Sequence, residues 1–121
     1  VGRPREVPSP NASHGEMIAR SGGVSYQVTA TVEPPLTDEF ERFMVRDHIP
    51  ALIATGCFAA AAIVRLGPGR YRMRYEAESR AQLDRYFETE AARVRGEFTA
   101  RFPSGIVLER ETAEVLGEWM R

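Results

Sequence analysis

Lysine is absent from this chain: all 16 basic residues are arginine. Cysteine occurs once, at Cys57, and histidine only at His14 and His48. A single cysteine excludes an internal disulfide and a multi-cysteine metal site, and it fits a reducing, cytoplasmic setting. One histidine in the folded region leaves too few ligands for a metal centre. No sequence pattern implies a cofactor. No apolar run approaches the roughly 20 residues of a membrane span, and the N-terminus lacks the apolar stretch of a signal peptide. A surplus of positive charge is missing as well. With 16 basic and 17 acidic residues the net charge is −1, whereas a nucleic-acid-binding domain is normally basic. Neither nucleic acid nor membrane is therefore expected as a partner. The arginine usage can be read as anion recognition, or as codon bias in a GC-rich genome, which would also account for the alanine and glycine.

What is present is the material for one domain, 121 residues of which 43% are hydrophobic. Residues 1–23 are rich in proline and glycine without apolar periodicity and read as a disordered leader. Met17 is a candidate translation start within it, and neither His14 nor the Asn11-Ala12-Ser13 sequon suggests a role. The segment 24–33 then alternates apolar and polar residues, the mark of a half-buried strand, and Pro34-Pro35 ends it. Thr37 is a candidate N-cap, with Asp38 and Glu39 in the favourable first turn. Phe40, Phe43, Met44 and Ala51 share one side of the helix that follows, and Pro50 predicts a kink near 46–50. Gly56 is placed to end that helix.

The run CFAAAAIVRL (57–66) then reads as a strand rather than a helical extension. Gly67-Pro68-Gly69 is a tight turn, and RYRMRYEA (70–77) alternates again, so the pair is antiparallel. Ser79 and Gln82 form a capping-box pair. Leu83, Phe87, Ala91, Val94, Phe98 and Phe102 mark one long amphipathic helix, ended by Pro103-Ser104-Gly105. Residues 106–112 make a fourth strand. The domain is thus 24–112, and 113–121 form an apolar-sided tail. The order β-α-β-β-α-β is that of an α+β, ferredoxin-like fold: a four-stranded antiparallel sheet with two helices on one face.

Two helices cover one face only. The first and third strands should be central neighbours, so the open face would carry Gln27, Thr29, Thr31, Glu33, Arg70, Arg72, Arg74 and Glu76, with Glu109 and Glu111 as candidates from the fourth strand. One reading is an exposed surface on which arginine and glutamate neutralise each other. An RNA-recognition surface would need stacking aromatics on that face, and Tyr26, Tyr71 and Tyr75 have the buried parity. The third reading is a homodimer whose open faces enclose a cavity. Small residues on the second strand leave room for a partner there, and Val115, Leu116, Trp119 and Met120 in the tail lack cover in a monomer.

The stretches VTATVEPPLTDEFERFMVRDHIPALIATGCF, YRMRYEAES and EFTARF together resemble the bacterial domain-of-unknown-function family 4286 over residues 24–112. The His48-Ile49-Pro50 step, Thr55-Gly56-x-Phe58 and Tyr75-Glu76-Ala77-Glu78-Ser79 are the most specific pieces. The resemblance implies a ferredoxin-like fold of the dimeric α/β-barrel type and supplies no reaction. The arginine-heavy third strand departs from it.

His48 is the candidate catalytic base, since an imidazole titrates near neutrality; its plainer role is helix packing beside Pro50. Arg72, Arg74, Glu33, Thr31 and Glu76 are the candidate ligand-binding residues, the arginines offering charge-assisted bonds to a carboxylate or phosphate. Cys57 reads as a buried small hydrophobe. The expected function is a small homodimer that binds a polar or anionic molecule or serves as a non-catalytic accessory module. The alternative is a cofactor-independent monooxygenase- or isomerase-like enzyme using His48.

Overall fold

The structure, a computed structural model, describes residues 18–20 and 22–121. In chain order its strands are β1 (Ile18–Arg20), β2 (Val24–Val32), β3 (Ala60–Gly67), β4 (Arg70–Ala77), β5 (Ile106–Glu114) and β6 (Glu118–Met120). The α-helices are α1 (Thr37–Phe43), α2 (Ile49–Ala54), α3 (Arg80–Thr89) and α4 (Ala91–Arg101). The architecture is α+β. Four strands form one antiparallel sheet in the order β3-β4-β2-β5. As expected, the first and third strands of the domain lie at the centre, and 57–66 yields a strand rather than a helix.

Alternation decides which face is covered. Tyr26, Val28 and Ala30 of β2 and Tyr71, Met73 and Tyr75 of β4 are buried. They join one core with Phe40, Met44, Leu52, Leu83, Tyr86, Val94, Phe98 and Phe102 of the helical layer. All helices therefore sit on the same side. Each large apolar side chain so buried contributes roughly 1.5–3 kcal/mol relative to exposure.

The first helical segment is a rod with a widened turn. α1 runs into a π turn over Met44–His48, and the Ile49 N–H donates five residues back to the Met44 carbonyl. Pro50 is the cause: it has no N–H, and its ring excludes the carbonyl four residues earlier. The kink expected near 46–50 is thus absorbed as one extra residue in a turn. Its phase shift brings Leu52 into the core and leaves Ala51 half-buried. Thr37 is not the N-cap. Leu36 occupies that position after a 3-10 turn over Pro34–Leu36, and Thr37 Oγ1 donates to the Pro34 carbonyl at 3.1 Å. Gly56 ends the rod at φ 79°, a left-handed conformation suited to glycine.

The expected long helix after Ser79 is two helices. Glu90 leaves helical geometry at φ −123°, and α4 restarts at Ala91. The break rotates the buried stripe, so Tyr86 is buried where Phe87 was expected, and Phe87 is exposed. Half of the capping box forms: Ser79 Oγ accepts from the Gln82 N–H at 3.2 Å, while the Gln82 carboxamide oxygen accepts from Arg85.

Most of the segment 1–23, with His14, the sequon and Met17, lies outside the described residues. Ile18–Arg20 within it is a strand paired with Glu118–Met120 of the expected tail. Ile18↔Met120 keeps the same register as Val24↔Glu114, so the β2–β5 ladder continues through this ribbon. Val115 N–H spans the gap by donating to the Gly23 carbonyl at 2.9 Å. Among the described residues no helix is long and apolar enough to cross a membrane.

Candidate functional site

Between the sheet and the helical layer lies a cavity of ≈ 290 Å³. Val28, Met73 and Leu108 line it from the sheet, and Met44, Leu52 and Val94 from the helices. Five groups give it chemistry: His48, Tyr75, Tyr86, Arg95 and Arg110.

His48 closes the π turn, and its ring packs against Phe43 and Phe98 at centroid distances of 5.8 and 5.5 Å. Among the described residues the imidazole has no hydrogen-bond partner. Burial pushes its pKa down from 6.5 to about 4; nearby Glu97 opposes the shift and Arg110 adds to it. At neutral pH the ring is uncharged, with one donor and one acceptor nitrogen. A base this weak is poorly matched to proton abstraction near pH 7, whereas a neutral imidazole suits hydrogen bonding to a ligand.

Tyr75 comes from β4 and Tyr86 from α3, and they are 1% and 2% exposed. Neither hydroxyl has a hydrogen-bond partner among the described residues. Burial, reinforced by the neighbouring tyrosines, raises Tyr75 far above its ordinary value. Burial likewise pushes Tyr86 up to about 12, against Arg95, Arg110 and Arg93. Both phenols therefore stay protonated donors. Tyr26 differs, because its hydroxyl accepts from Arg95 Nη2 at 3.1 Å. Arg110 sits opposite Val28 in the β2–β5 register, which puts it on the helix-facing side of the edge strand. Arg95 and Arg110 are exposed and form no ion pair among the described residues.

The expected open-face residues lie on the other side of the sheet. Register sets them in cross-strand rows: Ala60, Glu76, Ser25 and Ala113; then Ala62, Arg74, Gln27 and Glu111; then Val64, Arg72, Thr29 and Glu109. Arg72 and Arg74 are neighbours, and Arg72 Nε donates to Thr29 Oγ1 at 3.3 Å. Glu76 accepts from Ser25 Oγ at 3.0 Å at one end of the sheet. Thr31 pairs with Arg70 at the opposite end, and the Glu33 N–H donates to the Gly105 carbonyl beyond it. At about 3.3 Å per residue these ends are roughly 20 Å apart, so the five residues do not converge on one small ligand. Arginine and glutamate rows are separated by β2, about 10 Å, and no ion pair joins them among the described residues. The self-neutralised network is not formed among the described residues.

Sequence reasoning singled out His48 but expected the cavity between the open faces of a dimer, and it missed the other residues that line this one. The alternation Ile106, Leu108, Arg110 was a usable signal for Arg110. Tyr86 was hidden by the helix break and Arg95 by its place next to buried Val94. No group of three or more His, Cys, Asp or Glu among the described residues could hold a metal.

The family model described as Domain of unknown function (DUF4286) matches residues 24–116, and the chain belongs to that family. Comparisons with curated proteins and with solved structures find no match.

Proposed function

Taking this family membership as the premise, we propose that the protein is a small-molecule-binding homodimer whose ligand occupies the cavity between sheet and helices. One observation carries the binding reading. Two almost wholly buried tyrosines line a cavity edged by arginines without ion pairs among the described residues, and their hydroxyls find no partner among those residues. An unpaired buried hydroxyl costs roughly 1–3 kcal/mol, so water or a polar ligand must pair with them. Native mass spectrometry of freshly purified protein should detect a retained small molecule. Leu108→Trp, which fills the cavity from the tolerant edge strand, should abolish retention with the fold intact by circular dichroism. Retention unchanged in that variant refutes the site.

Support for a ferredoxin-like topology comes from the β-α-β-β-α-β order and the central pairing of the first and third strands. Support for the homodimer, and for a dimeric barrel, comes from the open face. Its arginine and glutamate rows form no ion pair with each other among the described residues, and a second copy facing them can supply one. A cytoplasmic setting is consistent with Cys57 as a buried free thiol.

A second reading, cofactor-independent monooxygenase- or isomerase-type chemistry with His48 as base, is favoured by His48 lining the cavity with Arg110. Its low basicity weighs toward binding. Unchanged turnover of an identified substrate by His48→Ala would end the catalytic reading.

A further inference from the structure

We infer that the ligand is a single-ring aromatic carboxylate, its carboxylate held by Arg95 and Arg110 and an oxygen at the far side of its ring bonded to the Tyr75 and Tyr86 hydroxyls. This rests on the binding reading and adds the chemical class. Size sets the first limit. At about 30 Å³ per water the cavity of ≈ 290 Å³ holds roughly ten waters' worth of volume, which is ample for one ring with short substituents.

Shape sets the second. Tyr26, Tyr75, Tyr86, Phe98, Phe102 and His48 line the cavity, and such rings favour a planar guest through stacked and edge contacts.

Charge sets the third. The only formal charges among the lining residues are the two arginines, and no carboxylate lines the cavity. Both guanidiniums are exposed, so the anionic end of the ligand stays at the mouth, where its desolvation is small. Beside the arginines the lining carries neutral polar groups, among them two protonated phenols and an uncharged imidazole. They can pair with a hydroxyl or carbonyl oxygen and could not offset a second charge.

The test titrates the full chain with 4-hydroxybenzoate, benzoate, 4-hydroxybenzyl alcohol and toluene, followed by calorimetry and by the tyrosine ring resonances. Saturable binding of 4-hydroxybenzoate, at least tenfold tighter than the neutral alcohol, is expected. The double variant Arg95→Gln/Arg110→Gln should erase that preference. Tyr86→Phe should weaken 4-hydroxybenzoate severalfold and leave benzoate unchanged. If the alcohol binds as tightly as the acid, the preference survives the double variant, or only toluene binds, the ligand class is wrong while the cavity reading stands. If nothing binds, toluene included, the cavity reading falls and takes the class with it.

Discussion

The neutral imidazole of His48 makes stability depend on pH between about 4 and 6.5. Its pKa falls from 6.5 unfolded to about 4 folded, a drop of about 2.5. Between those values the unfolded chain binds the proton more readily than the folded one, so stability rises with pH across the interval. The contribution is complete above pH 6.5 and lost as pH falls toward 4. At 1.36 kcal/mol per unit the whole shift is worth about 3 kcal/mol, of which about 2 is lost by pH 5. Glu97 opposes the shift and Arg110 reinforces it. Glu41, bonded to Tyr71 and Arg65, has its pKa lowered from 4.5. Its contribution is therefore present above 4.5 and is lost as pH falls below that value, under the pH 5 at which the His48 loss is read.

Urea unfolding at pH 7 and pH 5 reads this directly. The wild type should lose about 2 kcal/mol more than His48→Gln does. Proton resonances of the imidazole should titrate near 4, with His14, the only other histidine, identified by its own substitution. Equal losses in wild type and variant, or a His48 midpoint near 6.5, would refute the burial argument and with it the neutral ring in the cavity.

Two further predictions concern the scaffold. Gly69 sits at φ 71°, and a Cβ there would lie 2.7 Å from the Val32 carbonyl oxygen. Gly69→Ala should cost about 2 kcal/mol or more in chemical denaturation, and a wild-type value would contradict the turn geometry. On the homodimer reading, sedimentation should give a dimer at micromolar concentration, and Arg72→Glu/Arg74→Glu should convert it to a folded monomer. A monomeric wild type would defeat that reading.

The strand pattern was legible because its period of two was clean. Tyr26, Tyr71, Met73 and Tyr75 fell on the buried face as alternation required, and Gly56 and Gly69 sit where positive φ demanded glycine. The helices were read with the right faces and the wrong phase. One extra residue in the π turn exchanged Ala51 for Leu52, and the break at Glu90 exchanged Phe87 for Tyr86. A period of 3.6 has no way to register either event: the first follows from the missing N–H and the ring of Pro50, and the second is a change of backbone angles at the single residue Glu90. The candidate site suffered for the same reason. Its open-face residues were placed correctly on the sheet but spread along its length, and the cavity's second tyrosine depends on the helix break.

The cavity itself follows from what the edge strand carries. β5 presents Ile106 and Leu108 to the helical layer, both half-buried, and then Arg110. An arginine cannot be sealed into a core without a partner, because an unpaired buried charge costs several kcal/mol. No carboxylate lines this end of the core, so the helices cannot close over it, and the gap reaches inward to the two phenols. An apolar residue at 110 would let the helical layer close over this edge of the sheet. The residue that keeps the core open is also one that would meet an anion entering it. Packing and recognition therefore hang on the same guanidinium, and this is why the binding reading and the ligand class both turn on Arg110.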